Sequence, residues 1–122
     1  MKQLNNYDEA VKVIKNISNE KVLGIVMTSA TCEVCKKFVT DTLEKINEQY
    51  SDVVEIYQMD IEKHPTQGTL PVPTVPVTYF YIKDCKVFPL MRPGYAGLEI
   101  LEGEIKKFKL LLKGEPFETV YG

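Results

Sequence analysis

The 122-residue chain has no apolar stretch near the roughly 18 to 20 residues that a membrane-spanning helix needs. Its opening residues, MKQLNNYDEA, contain no apolar core of the kind a secretory signal carries. The expected location is therefore the cytoplasm, with no membrane partner. Strong charge of either sign is also missing: 15 Lys and Arg against 17 Asp and Glu leave a formal net charge of −2. Nucleic acid attracts basic surfaces, so it is not an expected partner either. There are no internal repeats, low-complexity tracts or linkers, and the length suits one domain. Histidine occurs once, as His64, and cysteine three times, as Cys32, Cys35 and Cys85. In a reducing compartment an odd set with one CxxC spacing points to redox or metal chemistry rather than to structural staples.

What is present reads as alternating helices and strands. Tyr7, Ala10 or Val11, Ile14 and Ile17 recur at helical spacing, with Asn6 as N-cap and Glu9 completing a capping-box-like pair. Val22 to Thr28 is a near-continuous apolar run, as expected of a central strand covered on both faces. Cys32 and Cys35 follow it, and after them Phe38, Val39, Leu43, Ile46 and Tyr50 mark one side of a helix. Val53 to Ile61 alternates as a strand. Prolines at 65, 71, 73 and 76 exclude helix or paired strand from the next segment.

Val77 to Lys83 is rich in branched and aromatic residues and reads as a strand. Asp84 and Cys85 form a turn, and Lys86 to Met91 returns beside that strand. Pro89 cannot donate a ladder hydrogen bond, so this last strand belongs at a sheet edge. Leu98, Leu101, Ile105, Phe108 and Leu112 give the final helix its core-facing stripe, which Gly114 and Pro116 stop. The expected product is an α/β domain over 1–113, with a mixed four-stranded sheet, helices on both faces, and a loose tail over 114–122. The strand–helix–strand unit from Val22 to Ile61 should be a right-handed parallel crossover.

This pattern resembles the thioredoxin family across roughly residues 6 to 112. The resemblance rests on Thr31-Cys32-Glu33-Val34-Cys35-Lys36 after a buried strand, on Asp60, on Val75-Pro76 before a hairpin, and on Gly94. It implies the thioredoxin-like fold and a thiol–disulfide oxidoreductase working in the reducing direction, as a monomer and without a bound cofactor or metal. Its substrates would be disulfide-containing proteins, and its electrons would come from a thiol or a reductase. Cys32 would be the nucleophile, its thiolate favoured by the start of the helix, and Cys35 the more buried resolving thiol. Pro76 would be cis and Val75 a main-chain substrate contact, with Thr31, Glu33, Val34 and Gly94 around it.

The sequence also departs from the family. Glu33-Val34 stands for Gly-Pro, Thr31 for a tryptophan, and Val26 for a buried aspartate that assists the resolving thiol. Those departures keep open a binding protein of the same fold with little turnover. A zinc site from Cys32, Cys35, Cys85 and His64 is a more distant alternative.

Overall fold

The structure, a computed structural model, describes residues 1–18, 20–62, 74–82 and 90–122. The elements that hold the candidate site begin with strand β1 (Lys2–Gln3), helix α1 (Tyr7–Lys15) and strand β2 (Val22–Thr28). Helix α2 (Glu33–Phe38) runs through a π-helical turn (Val39–Leu43) into α3 (Glu44–Gln49). Strands β3 (Val54–Asp60), β4 (Val77–Tyr81) and β5 (Leu90–Pro93) precede α4 (Leu98–Leu112) and α5 (Phe117–Tyr121).

Among the described residues the sheet has five strands in the order β1-β3-β2-β4-β5, where the sequence led to four. The extra strand, β1, pairs parallel to β3, with Lys2 opposite Tyr57 and Gln3 opposite Gln58. Two residues carry no periodicity, so only their partners reveal them as a strand. β2 pairs parallel with β3 over seven residues, from Val22↔Val54 to Thr28↔Asp60, and antiparallel with β4 on its other side. β5 closes the far edge antiparallel to β4. The sheet is thus mixed, and the edge position expected for the last strand is met. Of the expected 86–91 span, Leu90 and Met91 lie in β5, which runs on to Pro93; 86–89 fall outside the described residues, as do Pro65, Gly68, Pro71 and Pro73.

Alternation along the strands divides the core in two. Val22, Val26, Val54 and Ile56 pack with Phe38, Leu43, Ile46, Leu101, Ile105 and Phe108, beneath the α2–α3 rod and α4. Leu23, Ile25, Met27 and Met59 pack on the opposite face with Ala10 and the partly buried Val13, Ile14 and Ile17. All seven residues of β2 are buried, as its unbroken apolar run requires. Gly24 lies in close packing there: a Cβ would sit 3.2 Å from the Phe80 ring, which would have to give by a few tenths of an ångström. That ring in turn meets Phe108 at a centroid distance of 4.9 Å.

Two local expectations need adjusting. Asn6 caps α1 by accepting the Glu9 N–H at 2.9 Å, but the Glu9 carboxylate takes the N–H of Asn5 (2.7 Å), not that of Asn6. The tail is not loose: Phe117–Tyr121 forms α5. Its Phe117 and Tyr121 rings stack at 4.9 Å, and the Tyr121 hydroxyl donates to Glu104 on α4 at 3.2 Å.

Candidate functional site

The chain leaves the buried end of β2 at Thr28 and turns over Ser29 to Thr31. The Cys32 N–H donates to the Ser29 carbonyl at 3.1 Å, which aims the turn into α2. Cys32 is the N-cap of α2, with extended backbone angles of −89° and 104°. The first N–H groups of a helix lack partners within it. Here the Cys35 N–H points at Cys32 Sγ, 3.1 Å away. A sulfur so placed sits against an unspent donor, the arrangement that favours a thiolate over a thiol.

Cys35, one turn into the helix, is buried with 1% of its surface exposed. The two sulfurs are joined as a disulfide, with Cα atoms 5.2 Å apart. The sheet brings a second strand end to the same place. The Val75–Pro76 peptide bond is cis, and the Val75 carbonyl oxygen lies 3.9 Å from Cys32 Sγ. Gly94 closes this side: its N–H donates to the Pro76 carbonyl at 2.7 Å. Gly94 has φ of +79°, a left-handed conformation that suits glycine.

Of the residues marked in the sequence, the structure therefore gathers Cys32, Cys35, Val75, Pro76 and Gly94. Thr31, Glu33 and Val34 line the exposed rim. Val34 leaves half of its apolar surface (51%) in solvent. Glu33 pairs with Lys36 at 3.3 Å, an exposed contact one helical turn long. His64 and Cys85 lie outside the described residues. Val26 is fully buried in the apolar cluster below α2, so no carboxylate stands at that position.

Sequence reasoning missed a polar cluster beside the turn. Glu62 Oε1 accepts both the Ser29 hydroxyl and, at 3.1 Å, the Thr31 hydroxyl. The two hydroxyls are themselves 3.1 Å apart. This knot ties the residue before Cys32 to the turn after β3, where the Glu62 N–H donates to Asp60 Oδ1 at 2.9 Å. No spacing rule links positions 29, 31 and 62. The parallel register that sets Thr28 beside Asp60 does so. On the other side, the π-helical turn directs the buried Thr42 hydroxyl onto the Ala96 carbonyl at 2.8 Å, fixing the segment that carries Gly94.

Several solved structures share this architecture. The chain matches chloroplastic thioredoxin z with a TM-score of 0.78 and 14% identity, over 89% of this chain and 94% of that one. For the thioredoxin of Fasciola hepatica the TM-score is 0.72 and the identity 17%, over 88% and 99% of the two chains. For mitochondrial thioredoxin 3 of Saccharomyces cerevisiae the values are 0.68 and 24%, over 87% and 93%. At these identities the likeness establishes the thioredoxin fold. No protein-family model and no curated protein matches the sequence.

Proposed function

We propose that the protein is a thiol–disulfide oxidoreductase that reduces disulfides in other proteins. The observation that carries this reading is the placement of Cys32. Its sulfur caps a helix start, is joined to the buried Cys35, and lies 3.9 Å from the carbonyl of Val75.

In the reduced protein, the Cys32 thiolate attacks one sulfur of a substrate disulfide. A Cys32–substrate bond forms and the other substrate sulfur departs with the electron pair. Cys35 then attacks Cys32 Sγ, the Cys32–Cys35 bond forms, and the second substrate sulfur leaves as a thiolate. The substrate loses one disulfide, the protein gains one, and a thiol or reductase donor restores the dithiol. Val75 supplies main-chain groups along which an extended substrate segment lies as an added strand. Thr31, Glu33, Val34 and Gly94 border that segment, and the exposed Val34 offers it apolar contact. We assign the activity to a monomer in a reducing compartment, the cytoplasm.

The replacement of the family's buried acid by Val26 favours one competing reading, a thioredoxin-fold protein that holds a partner as a mixed disulfide and turns over little. One assay separates the two. Reduction of a generic protein disulfide with dithiothreitol as donor should be accelerated by the wild type and lost in Cys32→Ser. Cys35→Ser, reduced beforehand and given the substrate without dithiothreitol, should instead trap the mixed disulfide. A wild type that also stops at the mixed disulfide would overturn the reductase reading. A reduction potential of the pair near about −270 mV would fit the reducing direction, and one above about −180 mV would contradict it.

A further inference from the structure

We propose that Asp60 accepts the proton of the Cys35 thiol, through water in the cavity that both residues line. The inference rests on the dithiol reading above and assigns a residue to its second step.

That step has a proton to place. Cys35 must become a thiolate before its sulfur can bond to Cys32 Sγ and expel the substrate sulfur with its electron pair. Cys35 is buried, so its proton has few exits. The side of the site under Val26 offers none. Val26 is apolar, and across the sheet from it stands Thr78, a fully buried threonine. The Thr78 hydroxyl has no hydrogen-bond partner among the described residues, and a hydroxyl is far too weak a base to keep a proton.

The other side is different. A cavity of about 480 Å³ opens between the end of the sheet and α2, with Cys35 and Asp60 both in its wall. A water molecule takes roughly 30 Å³ of liquid volume, so there is room for a chain of several. Asp60 is the one carboxylate among the described residues of this wall. Gln3 and Asn5 from the β1 side, Thr28 and Ser29 from the end of β2, and Gln58 from β3 are uncharged. Lys36 from α2 is the one cation, and its ammonium is held by Glu33. The Glu62 N–H donates to Asp60 Oδ1 at 2.9 Å, and the neighbouring backbone is tied to β2 by the Ile61 N–H on the Thr28 carbonyl at 2.9 Å. The balance of the step is complete. The Cys35 proton passes to Asp60, the Cys32–Cys35 bond forms, the Cys32–substrate bond breaks, and the proton then returns to solvent or to the departing sulfur.

The test is a single turnover with one equivalent of a chromogenic aromatic disulfide, with Cys85 replaced by serine in every protein so that only the pair reacts. Attack by Cys32 releases the first coloured thiolate, and attack by Cys35 releases the second. Asp60→Asn keeps the oxygen that accepts the Glu62 N–H but removes the base. It should leave the first phase unchanged and slow the second about tenfold or more near neutral pH. The gap should close as pH rises and hydroxide takes over. Asp60→Ser, which also keeps an oxygen and lacks a base, should slow the same phase, and Asp60→Glu should recover part of the rate. A second phase at the wild-type rate in a folded Asp60→Asn or Asp60→Ser protein, at every pH, overturns the inference while leaving the dithiol reading intact. A wild type that shows no first phase removes the dithiol reading, and this assignment with it.

Discussion

The sulfur of Cys32 and the carbonyl oxygen of Val75 face each other at 3.9 Å, across the gap between the turn after β2 and the cis bond before β4. Residues 43 apart in sequence thus form the two sides of one opening. Cys32 is partly exposed at this opening, and Cys35 lies buried behind it. Brief treatment of the reduced protein with iodoacetamide at neutral pH should therefore label Cys32 well before Cys35 or Cys85. Peptide mapping reads the order, and label arriving first at Cys85 would remove Cys32 from the role of nucleophile.

Thr78 predicts a stabilising substitution. Its hydroxyl is buried without a partner among the described residues, and such a group costs about 1–3 kcal/mol. Thr78→Val keeps the shape and removes that cost, so the denaturant midpoint should rise by the equivalent of about 1 kcal/mol. Val26→Asp, on the paired strand, should lower stability by a few kcal/mol through burial of a carboxyl. That loss should be greater when Thr78 is already valine, because the hydroxyl that can donate to the new carboxyl is then gone. Equal losses in the two backgrounds would show that the side chains do not meet.

Gly94→Ala isolates a backbone effect. A Cβ at this position meets nothing within 4 Å, so no clash contributes, but φ of +79° is strained for alanine. The expected loss is about 1–2 kcal/mol. Asn tolerates this region better, and Gly94→Asn should cost less. Chemical denaturation of the three proteins gives the comparison; equal stability of all three would contradict it.

Alkali should lower stability through Tyr57, on β3 beside the edge strand β1. Burial, and then the hydrogen bond that its hydroxyl gives Glu55 at 2.7 Å, push its pKa from 10.0 up to about 12. A neutral form favoured by folding contributes its full stability below the ordinary value and loses it as pH rises through the raised one. Stability should therefore fall between about pH 10 and 12. Burial raises Tyr81 and Tyr121 as well, so they share this limb. Tyr57→Phe should flatten it in part. The same hydrogen bond, aided by Lys2, holds the Glu55 carboxyl below its ordinary value. That stability is present above the ordinary carboxylate range and is lost as pH falls through the lowered value, so Tyr57→Phe should shrink the acid limb too. Urea titrations across pH measure both limbs.

Elements whose burial is one-dimensional were legible in the sequence. β2 is apolar at almost every position because both of its faces are covered, and α4 shows Leu101, Ile105 and Phe108 at helical spacing. Features set by a partner were not legible. β1 is two residues whose side chains, Lys2 and Gln3, are ordered by Glu55 and Gln58 on β3. α5 depends on Glu104 and on a stack of two rings. The π-helical turn shifts the helix after Phe38 within a stripe that still reads as regular. At the site, the CxxC spacing and the Val-Pro pair were visible, whereas the Ser29–Thr31–Glu62 knot and the cavity beside Asp60 exist because parallel pairing lines up the ends of β2 and β3.

The dithiol is mounted at the end of β2, the middle strand of the sheet among the described residues. β2 is flanked by partners along both edges and wrapped on both faces. To displace the Cys32 turn as a body, the chain would have to drag the middle of the sheet with it. Making or breaking the sulfur–sulfur bond must then be absorbed locally, by side-chain rotation and the first turn of α2. A partner that tells the oxidised protein from the reduced one has to read the difference within a few ångströms of the sulfurs, because the platform beneath offers it no second signal.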